Sequence, residues 1–485
     1  MVDTTRKTKI IATLGPASDT AVKIEALIKA GANAVRLNLS HGDLEGHKRV
    51  FKAVREVSGR LNAPVAVIVD LQGPKIRVGR IAGGKAVITK GETLTITTGD
   101  VPGDSTLIST TYKGLPADVR LGDKLLFDDG LMEAVVKRVD GGSVVCEVIT
   151  GGKLREHKGI NLPGRTISAP SLTEKDIEGV RFAAEAGADY IALSFVRKAS
   201  DVAALKERLA ALGSDIPVIA KIEKSEAVEN LDEIIRQADC IMIARGDLGV
   251  ELTPEAVPVL QKRIIAKANA AGKTVITATQ MLESMITNPR PTRAEASDVS
   301  NAVYDNTDCL MLSGETAVGR YPVESVEMMV RIVRETEEAL DDHPRIIARP
   351  MEGPRAFAHA VTYAAFAACK EVSPKALVVF TQTGSTAGLL AQLRPSTAII
   401  AFTAAPSAWR RLALVWGVTP YMTEFGASTD EMICRGEAAL LDNGAAELGD
   451  TVVIISGTKV GMRGATNMMK IDWIGSEECK LYRGK

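Results

Sequence analysis

A lysine and two carboxylates stand at the ends of two apolar runs in the middle of the chain. Ile-Pro-Val-Ile-Ala leads into Lys221-Ile-Glu223, and Asp-Cys-Ile-Met-Ile-Ala leads into Arg245-Gly-Asp247. Two carboxylates can hold Mg²⁺ while leaving positions open for water and phosphate oxygens. A nearby ammonium can neutralise a phosphoryl group during its transfer. These residues predict a magnesium-assisted phosphoryl-transfer site, although a structural ion pair at a strand end would use the same residue types.

The composition is that of an ordinary globular protein. At 485 residues and 46% hydrophobic content, the chain is too long for one core and should form about two to four domains. Lys plus Arg number 59 and Asp plus Glu number 60, so no overall positive charge would attract nucleic acid or an anionic membrane. The first residues lack the apolar core of a signal peptide, and no run of about 18 apolar residues occurs. We expect a soluble, cytoplasmic protein that binds neither nucleic acid nor membrane.

The cysteines are widely spaced and include no C-x-x-C pair. Three of them lie inside apolar, strand-like runs. This pattern favours buried thiols over disulfides or zinc ligands, and with them a reducing compartment. The six residues are Cys146, Cys240, Cys309, Cys369, Cys434 and Cys479.

One pattern recurs along the first two thirds of the chain. An Asn or Asp follows a helical stretch and introduces a short apolar run that stops at a polar residue. Such continuously apolar runs, alternating with helix-length segments, are typical of parallel strands covered on both faces. The eight predicted strands are the runs after Asn33, Asp189, Asp239 and Asp308, together with Lys9–Leu14, Val65–Asp70, Pro217–Lys221 and Thr274–Ala278.

Eight strand and helix units predict an α/β fold with a closed (β/α)₈ TIM barrel. Active sites in this fold lie at the C-terminal ends of the strands. Some polar residues there would only mark where strands reach the surface, but acids, a lysine and an arginine together favour a functional rim. The residues at these ends are Arg36, Asn38, Asp70, Phe195, Lys221, Glu223, Asp247, Thr279, Ser313 and Glu315.

Two further domains are predicted. The third strand is followed by short β-type runs separated by Lys-Gly-Glu, Leu-Gly-Asp and Asp-Gly-Gly turns, which indicates a small all-β domain inserted as a lid. Prolines in His343–Pro354 mark a linker, and alternating helix and strand patterns beyond it indicate a C-terminal open α/β domain. The expected boundaries are 1–74 with 170–342 for the barrel, 75–169 for the β-barrel lid and 343–485 for the C-terminal domain.

Nine ordered segments closely resemble the pyruvate kinase family, and the match is collinear from residue 9 to about residue 340. The segments are Lys9-Ile-Ile-Ala-Thr-Leu-Gly-Pro-Ala-Ser18, Arg36-Leu-Asn-Leu-Ser-His-Gly42, Asp70-Leu-Gln-Gly-Pro-Lys-Ile-Arg77, Lys158-Gly-Ile-Asn-Leu-Pro-Gly164, Ser194-Phe-Val-Arg-Lys198, Lys221-Ile-Glu223, Ala244-Arg-Gly-Asp-Leu-Gly-Val-Glu251, Thr279-Gln-Met-Leu-Glu-Ser284 and Leu312-Ser-Gly-Glu-Thr316. The resemblance implies a glycolytic homotetramer that transfers the phosphoryl group of phosphoenolpyruvate to ADP, giving pyruvate and ATP. It also implies a requirement for Mg²⁺ or Mn²⁺.

The resemblance assigns roles in phosphoryl transfer. Glu223 and Asp247 would bind the metal, and Lys221 would contact the phosphoryl group in flight. Arg36 would anchor the phosphate through its planar guanidinium.

The remaining substrate contacts also follow from the family. The backbone amides of Arg245 and Gly246 would hold the substrate carboxylate at a helix N-terminus, and Phe195 would form the wall. Thr279 would lie at the carbon that is protonated, in a relay with Ser313 and Glu315. Alternatively, Thr279 would only cap the following helix, and Glu315 would only orient its neighbours.

Four residues are implied at the nucleotide: Asn38, His41, Arg77 and Lys158. His41 would otherwise be a structural histidine, and Lys158 an ordinary surface lysine. In one departure from the family, Val318 stands where many relatives have a lysine, so one possible nucleotide contact is missing.

A second departure concerns a monovalent cation. In potassium-dependent relatives, residues matching Asn38, Ser40 and Asp70, with the carbonyl at the Leu71 position, bind this ion. An acidic residue then occupies the position of Lys75, whereas here an ammonium stands there. We expect the ammonium of Lys75 to supply the positive charge of this ion and to exclude a second cation by like-charge repulsion. Potassium should then be dispensable. The alternative is that Lys75 points to solvent and the cation site works as usual.

A last assignment is allosteric. Thr381-Gln-Thr-Gly-Ser-Thr386 follows a strand and opens a helix, where hydroxyls and amides can cradle a phosphate. The same composition is typical of an ordinary helix start. Because the family has an effector site here, we expect a phosphorylated metabolite to bind Thr381, Thr383, Gly384, Ser385 and Thr386, with Lys459 or Arg463 in support.

Two other functions fit parts of the pattern. A barrel lyase acting on phosphoenolpyruvate or oxaloacetate would also hold an enolate with Mg²⁺ and acids, but would need neither Lys221 nor a lid. A non-catalytic phosphoenolpyruvate sensor would be free to lose Glu223 and Asp247, which this chain retains.

Overall fold

The computed structural model describes residues 6–165, 167–340, 356–462 and 464–482. The predicted linker at His343–Pro354 and the predicted effector residue Arg463 lie outside these residues. The chain divides into two compact units. The first comprises Met1–Val69, Glu185–Tyr190 and Ile265–Lys485, and the second comprises Asp70–Ala184 and Ile191–Ile264.

The chain begins with alternating strands and helices, as predicted. Thr20 and Asp43 accept hydrogen bonds from the first turns of the first two helices, and Gly31 ends the first helix with a φ of 116°. The elements are β1 (Lys9–Leu14), α1 (Ala21–Ala30), β2 (Ala34–Asn38), α2 (Leu44–Arg60) and β3 (Ala66–Asp70).

The predicted β-type insertion follows. Its strands bury alternate residues, and Leu94, Phe127 and Val144 belong to its core. Its sheets are mainly antiparallel, although the second and third of its strands pair in parallel, which the turn signals did not indicate. The elements are β4 (Lys85–Ile88), β5 (Thr93–Thr97), β6 (Leu107–Ser109), α3 (Leu115–Asp118), β7 (Lys124–Phe127), β8 (Met132–Asp140), β9 (Ser143–Thr150), β10 (Gly152–Arg155) and β11 (Ile160–Asn161).

The chain then returns to parallel strands in which every residue except Thr274 is buried. These elements are α4 (Glu174–Ala186), β12 (Tyr190–Leu193), α5 (Ala199–Ala211), β13 (Val218–Ile222), α6 (Ser225–Glu229), α7 (Leu231–Gln237), β14 (Cys240–Ala244), α8 (Arg245–Glu251), α9 (Val257–Ala270), β15 (Thr274–Ala278), α10 (Arg293–Tyr304), β16 (Cys309–Leu312), α11 (Gly314–Ala317) and α12 (Pro322–Glu338). A closed barrel has the strand order β1-β16-β15-β14-β13-β12-β3-β2. The (β/α)₈ prediction is therefore confirmed.

The C-terminal region is the predicted open α/β sheet, with order β19-β18-β17-β20-β21. Its elements are α13 (Ala356–Val372), β17 (Ala376–Phe380), α14 (Ser385–Gln392), β18 (Ala398–Thr403), α15 (Pro406–Arg411), β19 (Val418–Met422), α16 (Thr429–Asp442), β20 (Thr451–Gly457) and β21 (Thr466–Trp473). The sequence pattern did not predict α15 or the antiparallel strand β21. Short 3-10 helices occur at Ala82–Gly84, Pro254–Ala256, Glu283–Ile286, Leu412–Leu414 and Glu477–Tyr482.

The prediction that the cysteines remain thiols is wrong for one pair. Cys434 of α16 and Cys479 of the last 3-10 helix form a disulfide across 45 residues of sequence. Spacing alone could not show this, because the pairing depends on two distant elements meeting at bonding distance. Cys146, Cys240 and Cys309 are buried thiols that form no disulfide in the described residues. Among the described residues, no helix has the length and apolarity needed to cross a membrane.

Candidate active site

The lysine of the predicted phosphoryl-transfer site is buried at the end of β13. Every residue of this strand is buried, and the Lys221 side chain is only 10% exposed. Its Nζ lies 2.8 Å from Glu223 Oε1 and 3.4 Å from Asp70 Oδ1, and donates to Ser194 Oγ at 2.7 Å. We call Asp70, Ser194, Lys221 and Glu223 the Lys221 cluster. It places a fixed positive charge among acceptors, as stabilisation of a transferring phosphoryl group requires.

The carboxylates fit a divalent cation. Burial raises the pKa of Glu223, Lys221 opposes this, and the charge of Asp247 raises the pKa further. Asp247 lies in the first turn of α8. Two neighbouring carboxylates provide hard oxygen ligands for Mg²⁺. Within the described residues, no three His, Cys, Asp or Glu side chains cluster as metal ligands.

Phe195 is held beside the cluster in a strained conformation. Its φ is 55°, which is unusual for a residue with a bulky side chain. Its backbone N–H donates to Glu223 Oε2 at 2.7 Å. Glu223 therefore fixes both the Lys221 ammonium and the turn that carries Phe195. Strain maintained by such contacts is typical of functional sites.

Thr279 does not cap a helix, so that alternative is wrong. Thr279 and Gln280 have φ values of 70° and 55°, and the next helical element, a 3-10 helix, begins at Glu283. Glu315 is 1% exposed and accepts hydrogen bonds from the backbone N–H groups of Leu282 and Ser313 at 3.0 and 2.7 Å. Glu315 thus orients the loops after β15 and β16.

Ser313 has a buried hydroxyl without a hydrogen-bond partner. A buried hydroxyl normally has a partner, so this Oγ is an orphan that water or substrate could satisfy. Among Thr279, Ser313 and Glu315, this hydroxyl is the feature that best fits the predicted proton relay.

A cleft of about 620 Å³ lies at the ends of β1 and β2. Asn38 and His41, two of the predicted nucleotide residues, line it together with the exposed Val318. The Asn38 side chain accepts from the N–H of Ser40 at 3.1 Å. Arg36 is buried, and its Nη1 donates to Thr13 Oγ1 at 3.2 Å. Thr13 also lines the cleft. The size is within the usual range for small-molecule sites.

The two other predicted nucleotide residues lie on the inserted β domain. Arg77 is bridged to Gly159, and its Nη1 donates to the His157 carbonyl at 2.9 Å. Lys158 forms an ion pair with Asp128 at 2.8 Å, and its side chain is 40% exposed.

The predicted monovalent-cation residues are found in both units. Asn38 and Ser40 are linked as described above. In the other unit, the Leu71 carbonyl lies 2.8 Å from Ser194 Oγ, and Asp70 belongs to the Lys221 cluster. Lys75 is half-buried, and a Cβ built on Gly159 would lie 3.5 Å from its Cε. The stem of Lys75 therefore packs along the start of β11.

The predicted effector loop lies at the N-terminus of α14. Gly384 has a φ of 88°, and its N–H donates to Thr381 Oγ1 at 3.0 Å. Thr386 and Thr466 share a hydrogen bond of 2.8 Å between their hydroxyl groups. All the predicted residues except Gly384 and the undescribed Arg463 line one pocket, in which Lys459 supplies the cation. These lining residues are Thr381, Thr383, Ser385, Thr386 and Lys459.

Three contacts escaped the sequence interpretation. Ser194 was recognised as part of a motif but not as a partner of Lys221, and Asp128 was not connected with Lys158. The buried pair of Lys224 and Glu251 was also missed. Each partner lies far away in sequence, so periodicity carries no signal for the contact.

The chain matches known proteins along most of its length. The family model described as the barrel domain of pyruvate kinase matches residues 5–326, and the model of its alpha/beta domain matches residues 359–472. A pyruvate kinase of Mycobacterium tuberculosis is 46% identical over 474 residues, which cover 98% of this chain and 100% of that protein. One of Clostridium perfringens is 44% identical over 473 residues, covering 97% and 100%. The crystal structure of a pyruvate kinase from Cryptosporidium parvum has a TM-score of 0.89 and 37% identity, with 97% of each chain covered.

Proposed function

The chain belongs to the pyruvate kinase family of phosphotransferases, and we propose that it transfers the phosphoryl group of phosphoenolpyruvate to ADP, giving pyruvate and ATP. The observation that carries this proposal is the buried Lys221 ammonium between the carboxylates of Asp70 and Glu223. A lyase that only stabilises an enolate has no need for a cation held in this way.

Glu223 and Asp247 would hold Mg²⁺ or Mn²⁺, which when bound polarises the phosphate and carboxylate oxygens of the substrate. Lys221 would then contact the oxygens of the phosphoryl group as it leaves the enol oxygen. Its position is fixed before substrate arrives, so little reorganisation is needed during the reaction. Arg36 would anchor the phosphate as a bidentate donor.

The contacts to the rest of the substrate are inferred from the resemblance of the motifs. The backbone amides of Arg245 and Gly246, in the first turn of α8, would hold the carboxylate, and Phe195 would exclude water from one side. The enolate would take its proton through Thr279 and Ser313, oriented by Glu315. The buried Ser313 hydroxyl without a hydrogen-bond partner supports this relay.

The nucleotide would bind through Asn38 and His41 in the cleft, and through Arg77 and Lys158 on the inserted domain. The adenine would meet a mainly apolar wall that includes Val318, where many relatives carry a lysine. Lys158 would exchange its pairing with Asp128 for the nucleotide phosphates, as a charge-assisted contact.

Potassium would not be required. In this proposal the ammonium of Lys75 takes over the charge of the monovalent cation that relatives bind with residues matching Asn38, Ser40, Asp70 and Leu71. The packing of the Lys75 stem along Gly159 supports it, because that packing restrains the side chain.

A phosphorylated metabolite would regulate the enzyme through the pocket at α14, where Thr386 and Lys459 lie together. We also propose that the protein is a homotetramer. The proposed domains are the barrel at 1–74 with 170–342, the inserted domain at 75–169 and the C-terminal domain at 343–485. The exposed side chains of Met469, Ile471 and Trp473 on the edge strand β21 support self-association. Light scattering of the purified protein would give the oligomeric state.

The reaction itself is tested by a coupled assay. Pyruvate formation from phosphoenolpyruvate and ADP is followed with Mg²⁺, with Mn²⁺ and with a chelator. We expect turnover with either metal and none with the chelator. A protein that releases phosphate or carbon dioxide from its substrate without making ATP would contradict the proposal and favour a lyase or phosphatase.

A further inference from the structure

A second buried lysine lies directly beside the Lys221 cluster. Lys224 is the N-cap residue of α6 and follows Glu223 in the chain. The residue is 5% exposed, although lysine is rarely buried unless it is paired. Its Nζ forms an ion pair with Glu251, whose side chain is 1% exposed. Neither residue has a role in the proposed chemistry.

Lys224 contacts elements that each carry a residue of the proposed active site. Glu251 is the last residue of α8, and Asp247 lies in the first turn of this helix. The Lys224 Nζ also lies 5.9 Å from the centre of the Phe195 ring, within cation–π range. Through the chain, Lys224 is joined to Glu223. One ammonium therefore connects the segments of Glu223, Asp247 and Phe195.

This arrangement contributes little to the stability of the fold, because burying its charges costs free energy. Burial raises the pKa of Glu251, with Lys224 opposing this, so the buried charge carries a desolvation penalty. Glu251 Oε2 is buried without a hydrogen-bond partner. A carboxylate at the C-terminal end of a helix also opposes the helix dipole. Apolar residues of similar size would serve a purely structural purpose at least as well.

We propose that the Lys224–Glu251 ion pair is a positioning device that sets the separation of the Glu223 and Asp247 carboxylates and the orientation of the Phe195 ring. The inference rests on the proposed function of those three residues. Both pair members act through others and contact neither substrate nor metal.

The geometry explains how the pair would act. The ladder between β13 and β14 fixes the strands up to Ile222 and Ile243, but Glu223 and Asp247 lie beyond their paired ends. The α8 helix has 7 residues and spans about 10 Å at 1.5 Å per residue, so holding its last residue limits its tilt. Asn161 Nδ2, on β11 of the inserted domain, lies 3.5 Å from Glu251 Oε1. The same carboxylate thus reaches the base of the inserted domain.

The test compares metal binding with folding. Binding of Mn²⁺ alone would be measured by the loss of the free-ion signal in electron paramagnetic resonance, for the parent protein, Lys224→Met and the double variant Lys224→Met/Glu251→Leu. Melting temperatures, kcat, and the KM for phosphoenolpyruvate would be measured on the same samples. Lys206→Met is the matched control, because Lys206 pairs with Asp239 at 2.9 Å outside the site, before β14 begins.

We expect Mn²⁺ affinity to fall about 10- to 100-fold in Lys224→Met, as for other residues that orient metal ligands. The double variant removes the unpaired buried carboxylate, so it should recover the melting temperature of the parent but not its Mn²⁺ affinity or kcat. Lys206→Met should match the parent. Parent-like Mn²⁺ affinity in either Lys224 variant would overturn the inference. Since Mn²⁺ binding is measured without substrate, the result stands apart from any failure of the parent to make pyruvate.

Discussion

The Lys221 cluster and the Lys158–Asp128 pair of the inserted domain use the same two charge types in opposite ways. Lys221 is 10% exposed and contacts Asp70, Ser194 and Glu223 at the ends of β3, β12 and β13. Lys158 is 40% exposed and pairs with Asp128 in a loop where Asp128 has a φ of 50°. A buried cation held by several strands is preorganised, whereas an exposed pair worth about 0–1 kcal/mol can be exchanged at little cost.

This difference suggests a division of labour. In the proposed reaction, the charges that act on the transferring group are fixed in the barrel, where reorganisation would slow the chemical step. The charges proposed to bind the second substrate lie on the inserted domain, which would have to admit and release it, so their contacts should be weak enough to exchange. The predictions below test this contrast, beginning with the variant that should have the largest effect.

Lys221→Met should reduce kcat for phosphoryl transfer by roughly a hundredfold or more, because the fixed charge is needed when the phosphoryl group lies between two oxygens. Phosphoenolpyruvate binding should change much less. The measurement is steady-state kinetics together with a binding titration. Ketonisation of added enolpyruvate should survive, and it serves as a control for folding, because the variant leaves Glu223 and Asp70 buried without their cation. Parent-like phosphoryl transfer would show that the cluster is structural.

The second prediction asks whether a fixed ammonium also replaces a mobile ion. The unmodified enzyme should be active in buffers that contain Mg²⁺ and a bulky ammonium counter-ion, with little gain on adding potassium. Lys75→Glu should be poor without potassium and partly rescued by it, because an acidic side chain restores the attraction for a monovalent cation. Rates would be compared at constant ionic strength. Strong potassium activation of the unmodified enzyme would contradict the assignment of Lys75.

Parts of this contrast could be predicted from sequence. The strands of the barrel are continuously apolar runs, so the positions of Lys221, Glu223 and Asp247 at strand ends followed from the pattern. The structure places Lys221 and Glu223 at the end of β13 and Asp247 in the helix directly after β14. Whether each residue performs its assigned role stays a prediction.

Other parts could not be predicted. Lys158 and Asp128 are 30 residues apart, and Lys224 and Glu251 are 27 apart, so these contacts depend on how separate loops fold back. The disulfide of Cys434 and Cys479 could not be predicted for the same reason. The edge strand β21 was missed although apolar and polar residues alternate from Met469 to Trp473; its apolar Met469, Ile471 and Trp473 are on the exposed face, the reverse of a half-buried strand.

The third prediction extends the contrast to the C-terminal domain. Thr386 is 4% exposed and shares its hydroxyl hydrogen bond with Thr466, so this part of the effector pocket is preorganised like the Lys221 cluster. A screen of phosphorylated metabolites should find one that shifts the phosphoenolpyruvate saturation curve. Thr386→Ala should weaken that shift several-fold while leaving the curve without effector unchanged. No response to any metabolite, or an identical response in the variant, would count against the site.

The smallest effect is expected from the exchangeable pair itself. Asp128→Asn removes the charge that holds Lys158 and should lower the KM for ADP by up to about fivefold, the equivalent of an exposed ion pair worth up to about 1 kcal/mol. The matched control is Glu147→Gln, which breaks the exposed pair of Lys137 and Glu147 on the same domain and should leave the KM for ADP unchanged. The value of kcat should stay within about twofold in both variants, because the Lys221 cluster is untouched. High salt should reduce the difference between Asp128→Asn and the parent, since screening weakens the competing pair in the parent. If Asp128→Asn instead raises the KM for ADP, then Asp128 orients Lys158 for the nucleotide, and the contrast between a fixed and an exchangeable cation would not hold.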